Sequence, residues 1–320
     1  MTAVDGSETT KASNATVRWG VLLPTFDALH TGRTPPLVAA ARHAEALGFD
    51  GGWVGDHLSC NAPVLDSTMA LAAAAAVTDR LALGFSVMLL GLRDPERAAH
   101  QIVTIQALCR ARLSLGVGVG GEHPEEFEAA GVPFAKRGRR LDEILALLPD
   151  LLAGQGVDFR GQAIEVHASA KERWTAERPA IVVGGRGEAA LRRAARYGDA
   201  WLPMWLSPEA IADRARDLRE LAAAAHRRAP SITLLLLVHV DDDLELARRR
   251  AAEHLQGQYR LPLGVVERWT ALGPATVVAQ TLQQYLDVGV DELILMPLGD
   301  RPLEQYERFA RVRTMVAPTG

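Results

Sequence analysis

Cysteine is scarce in this chain of 320 residues: Cys60 and Cys109 are the only two. They lie far apart without CxxC spacing, which argues against a disulfide framework and suits a reducing compartment, so a cytoplasmic protein is expected. No uninterrupted apolar stretch reaches the ~18 residues a membrane helix needs. An excess of positive charge is also missing. The 35 Lys and Arg are set against 39 Asp and Glu, for a net charge of −4, and the basic residues are scattered. That excludes nucleic acid as the expected partner. The nine histidines are dispersed, with no HxH, HExxH, DxDxDG or Cys/His cluster, so no metal is expected, and there is no GxSxG elbow. Residues 1–16 are polar and carry no apolar core of a signal peptide, so they are expected to form a disordered tail before a single domain over residues 17–320.

What is present is alternation. Short apolar runs at 19–24, 51–56, 81–90, 112–120, 180–185, 199–204, 232–240 and 292–297 each precede a segment with helical spacing. Strands without period-2 patterning followed by helices are the grammar of a parallel sheet covered on both faces. Eight such units over roughly 300 residues predict an α/β fold, a (β/α)₈ TIM barrel. Thr34, Asp94 and Ser207 each precede a proline and are expected N-caps. The first helix is expected to stop at Gly48 and the one over 276–288 at Gly289. Pro149 should kink or restart the helix that contains it. Two connections, 154–179 and 257–274, are too long for plain turns and are expected to form lids or substrate walls at the mouth.

In a barrel the active site lies at the carboxyl ends of the strands, so the residues just beyond each run are the candidates. The stretch GGWVGDHL (51–58) ends in Asp56 and His57, an acid beside the side chain that titrates nearest neutral pH, and these are the candidate catalytic pair. The alternative is a carboxylate capping a turn beside a histidine satisfied by backbone. GVGVGG (116–121) satisfies GxGxxG, but EHPEEFEAAGVPFAKRG intervenes before a helical pattern begins, which argues against a dinucleotide fingerprint. Gly118, Gly120 and Gly121, with Glu122 and His123 beside them, instead suggest close backbone approach to a flat or anionic ligand, or a tight turn. Gly184, Gly185 and Arg186 precede a helix and form a plausible phosphate cradle, the alternative being a glycine turn with a solvated arginine. Cys60 is read as structural and Cys109 as helix core. Trp53, Trp201 and Trp205 are read as packing residues, the alternative for Trp201 and Trp205 being an indole that walls off a planar ring.

The strings AEALGFDGGWVGDHL, LGVGVGGEHPEEFEAAGVPFAKRGRRLDEIL and IVVGGRGEAALRRAARYGDAWLPM, with VDELILMP in the last strand, closely resemble the bacterial luciferase-like monooxygenase superfamily from about Val17 to Pro297. The resemblance implies a barrel binding coenzyme F420 or reduced FMN at the strand ends, and the Asp-His pair looks more like the F420-dependent branch. It implies that His57 moves a proton beside the ring, that Ser86-Val87 carries a non-proline cis peptide behind it, that Gly120, Gly121 and Glu122 contact ring or tail, and that Gly184, Gly185 and Arg186 contact phosphate. Hydride transfer to or from a small organic substrate, such as a natural-product intermediate, is then expected. The alternatives are oxygen insertion with FMN, or a non-catalytic flavin-binding or partner subunit. Relatives imply a homodimer through the helices at 66–78 and 95–109. The strand-one end, PTFDALHTG, carries no diagnostic residue.

Overall fold

The computed structural model describes residues 17–172 and 177–317; the tail expected over residues 1–16 lies outside the described residues. The strands are β1 (Arg18–Leu22), β2 (Gly51–Val54), β3 (Ala82–Phe85), β4 (Leu113–Val117), β5 (Val157–Arg160), β6 (Glu165–Ala168), β7 (Ala180–Gly184), β8 (Ala200–Leu202), β9 (Ser231–Val240), β10 (Thr270–Gly273) and β11 (Glu292–Pro297). The order β9-β11-β1-β2-β3-β4-β7-β8 returns to β9 through Ala200 opposite Ser231 and Trp201 opposite Ile232. All these pairings are parallel. The ring is closed, and every expected strand is in it.

The barrel interior is filled from β2. The Trp53 indole is 2% exposed and donates through Nε1 to Glu292 Oε1 at 3.2 Å. A methyl group at Gly84, on neighbouring β3, would stand 2.3 Å from the indole, so only glycine leaves the ring its place. Burial pushes the Glu292 carboxyl upward, against the nearby Arg18 charge and the bond from Trp53.

The caps follow the sequence at two of three sites. Asp94 accepts from Arg97 N at 2.9 Å and Ser207 from Ala210 N at 3.3 Å. Thr34 does not cap: the first helix is Leu37–Ala46, with Pro36 at its N-cap. The residue before a proline is pushed out of helical geometry, so Pro35-Pro36 delays the start. Of the two outcomes expected at Pro149 the restart does not occur: the helix Arg137–Ala153 runs through it.

The two long connections part company. Residues 157–168 form an antiparallel hairpin, β5–β6, whose turn donates three backbone N–H groups (Gln162, Ala163, Ile164) to Glu143 on the helix Arg137–Ala153. It straps the outside of the barrel rather than walling the mouth. The insertion between β9 and β11 behaves as expected. Its helix Leu244–Tyr259 sends Gln258 and Tyr259 to the mouth, and β10 pairs with the last residues of β9, outside the ring.

Candidate functional site

The strand ends enclose a cavity of about 420 Å³. Every candidate from the sequence lines it: Asp56 and His57 after β2, Ser86 and Val87 after β3, Gly118, Gly120, Gly121 and Glu122 after β4, and Gly184, Gly185 and Arg186 at β7. Their shared position follows from closure, since neighbouring parallel strands deliver all their carboxyl ends to one rim.

The adjacent acid and imidazole have different duties. Asp56 is buried and both its oxygens are taken: Arg93 binds them in a fork at 2.6 and 2.7 Å, Ser67 Oγ donates at 2.6 Å, and Leu89 N donates at 2.7 Å. A carboxylate so saturated has no lone pair left for a substrate proton, so Asp56 is an anchor for the β3 connection rather than a catalytic acid or base.

His57 instead has a dedicated partner that linear reading missed. Its Nδ1 lies 3.0 Å from Glu126 Oε2, while Glu126 Oε1 accepts from Leu58 N at 2.7 Å and Ser59 N at 2.9 Å. Glu126, on the short helix Pro124–Ala129, is 1% exposed. Burial alone would lower the His57 ring, yet the hydrogen bond and charge of Glu126, helped by Glu122 and Asp56, raise it above its ordinary 6.5. With Nδ1 engaged, a ligand meets His57 through Nε2. Phe26 and His123 pack edge-on to the ring, at centroid distances of 5.8 and 5.2 Å.

Behind the cavity the Ser86–Val87 peptide is cis, as the resemblance implied. The glycines of β4 and β7 serve that turn directly. A methyl at Gly118 would stand 2.4 Å from Val87 Cγ2, and one at Gly184 2.7 Å from Val87 Cγ1. These two positions therefore admit the Val87 side chain. The β7 turn is fixed from another direction: Trp201 Nε1 donates to the Gly185 carbonyl at 2.7 Å. The following helix, Glu188–Tyr197, has no side-chain cap, so its first N–H groups remain open to an anion. Arg186 lies over the Trp205 ring, its guanidinium carbon 5.5 Å from the centroid.

Three buried polar atoms on this lining, Ser86 Oγ, Trp205 Nε1 and Arg137 Nε, have no protein partner. Buried polar groups are ordinarily satisfied, so together they mark a place where a ligand completes the bonding. Cys60 does not line the cavity; burial raises its thiol, which donates to the Ala62 carbonyl. Tyr259 does line it, and burial keeps its phenol protonated.

Among the described residues, His57, Glu122 and His123 bring potential metal-ligating atoms within 4.8 Å of one another. The expectation of no metal rested on linear motifs, and this grouping joins two strand ends.

Residues 17–292 match the luciferase-like monooxygenase family. The chain belongs to that family. The phthiodiolone/phenolphthiodiolone dimycocerosates ketoreductase of Mycobacterium tuberculosis is 30% identical over 241 residues, 65% of this chain and 62% of that protein. Among solved structures, an F420-dependent secondary alcohol dehydrogenase in complex with an F420-acetone adduct superposes with a TM-score of 0.80 at 16% identity, over 94% of this chain and 99% of that one. The oxygenating constituent of 3,6-diketocamphane monooxygenase from Pseudomonas putida, in complex with FMN, superposes with a TM-score of 0.76 at 15% identity, over 95% and 100%. At such identities these two share the luciferase-like fold with this chain, whose own site is the one described above.

Proposed function

We propose that this luciferase-like oxidoreductase uses coenzyme F420 to move a hydride between the coenzyme and the carbonyl or carbinol carbon of a small organic substrate. The observation that carries the reading is the His57–Glu126 pair at 3.0 Å on the cavity wall. An oriented imidazole whose carboxylate partner favours the protonated form is the group that such a transfer needs beside its oxygen, because hydride arrival at carbon leaves an alkoxide to be protonated. The ketoreductase among the sequence relatives supports this chemistry.

The residues fit the coenzyme. Ser86 Oγ and Trp205 Nε1 would hydrogen-bond its ring, Val87 would support one ring face, and the Gly185-Arg186 turn with Arg137 would hold its phosphate. When bound, the coenzyme supplies the hydride donor or acceptor. His57 then gives its proton to the carbonyl oxygen as carbon takes the hydride, or takes one from the carbinol in the reverse direction. Glu126 holds the ring and stabilises its charge. His57 is the proton-handling group of this reading, which involves no metal.

Fluorescence titration tests the proposal. Quenching on addition of F420 but not FMN supports it. A response to FMN alone replaces hydride transfer with oxygen chemistry, and no response to either makes the chain a non-catalytic subunit. We also propose a homodimer through the helices Ser67–Ala75 and Pro95–Leu108, whose Met69 and Leu108 are 74% and 55% exposed. Sedimentation at the mass of one chain would remove it.

A further inference from the structure

A second chamber, of about 430 Å³, adjoins the coenzyme cavity and shares Leu22, Phe26 and Gln258 with it. Met296 at the end of β11 forms part of its floor, Leu29 lines its wall in the connection after β1, and Gln258 and His254 on the helix Leu244–Tyr259 belong to its roof. Phe26 stands at the junction, its ring edge-on to His57.

The chamber's polar groups are already spent. Asp27 accepts from Thr31 N, Thr31 Oγ1 and Gly32 N at 2.8 to 3.0 Å. His254 faces Gln258 Oε1 at 3.0 Å and accepts from Gly299 N at 3.2 Å, and burial pushes its ring down to about 4, so it is neutral. The charged Arg33 and Asp300 are exposed at the rim. In the interior the Thr25 hydroxyl is fully buried and has no partner. The chamber's depth is lined by Leu22, Leu23, Phe26, Leu29 and Met296, and with Asp27 and His254 already bonded within the protein it offers little to a sugar, a phosphate or a carboxylate, each of which would forfeit hydration there. It suits a hydrocarbon chain.

We infer that this chamber takes the apolar tail of the substrate, making the reacting compound an uncharged ketone or carbinol with an extended alkyl chain. The inference rests on the hydride-transfer reading: the reacting carbon stays beside His57 and the chain passes Phe26. In reduction, a C–H bond forms from the hydride, the carbonyl π pair becomes an O–H bond with the proton from His57, and the reduced coenzyme is oxidised by two electrons.

The experiment is a series of 2-alkanones, from 2-butanone to 2-decanone, reduced by the coenzyme-loaded enzyme, in wild type and in Leu29→Trp, with Leu29→Phe as a milder filling of the same space. In wild type kcat/KM should climb about threefold per added methylene. In the folded variants the ratio for 2-decanone over 2-butanone should fall at least about tenfold. A flat series, or a ratio untouched by either variant, overturns the inference while ketone turnover itself upholds the hydride reading. Displacement of Nile red by the same ketones separates the other failure: chain-length-dependent displacement lost in Leu29→Trp, with no turnover of any ketone, upholds the chamber and sinks the hydride reading.

Discussion

The Glu126 carboxylate and the His57 imidazole, 69 positions apart in sequence, meet at 3.0 Å beside the cavity at the strand ends. The contact fixes which ring nitrogen faces the ligand and raises the pKa of the pair's basic member. In Glu126→Gln the pH limb of kcat that reports His57 should move to lower pH, and turnover should fall up to about 10²-fold. His57→Ala should cost at least that much while leaving coenzyme affinity nearly intact; equal loss of both would reduce His57 to a binding residue. The sign for stability follows from the raised ring. The contact's contribution is complete below the ordinary 6.5 and fades as pH rises through the folded-state value. The melting-temperature gap between wild type and Glu126→Gln should therefore narrow as pH is raised.

Arg93 and Asp56 form a forked pair with the carboxylate side 1% exposed. Arg93→Ala strands that charge and should destabilise the fold by about 3–5 kcal/mol in urea unfolding. Arg93→Lys keeps the charge without the fork and should fall between. An alanine variant as stable as wild type would show that Asp56 does not depend on the fork.

Gly84→Ala should cost about 1–3 kcal/mol by forcing a methyl group against the Trp53 indole. Combined with Trp53→Leu, which vacates the space, the two losses should sum to less than their separate values. Strict additivity in denaturant unfolding would mean that the two residues do not compete for one volume.

Arg186→Ala and Arg137→Ala should each weaken coenzyme binding about tenfold, the loss shrinking with ionic strength, as measured by fluorescence titration. Unchanged affinity in both would remove the phosphate from this end of the cavity.

Dialysis against EDTA should leave turnover unaltered. Activity lost on chelation and restored by Zn²⁺ would reassign His57, with Glu122 and His123, to metal binding.

Most of the barrel was legible because closure needs only repeated apolar runs and their spacing, and eight of them stand in the chain. The site was legible as a set of positions, since strand ends must share a rim. Its internal division of labour was not. Nothing in GDHL says that Asp56 spends its oxygens on Arg93, or that the partner of His57 lies beyond a β4 turn. Such pairings depend on side-chain directions set by tertiary packing. Arg93 and Glu126 sat in view, in LRDPER and HPEEFEAAG, as ordinary helix-flanking charges. Phe26, in a stretch without a readable motif, stands where one chamber meets the next. The hairpin at 157–168 shows the opposite limit: its length marked it as special, while its place, after a helix and before a strand, carries it to the barrel's outside.

The helix over both chambers, the short helix after it and β10 all belong to one uninterrupted piece of chain between β9 and β11. Because that piece departs from and returns to adjacent staves, a single exchange of genetic text could fit a new ceiling without reopening the ring. What the enzyme selects and what keeps it standing are thereby inherited as separable parcels.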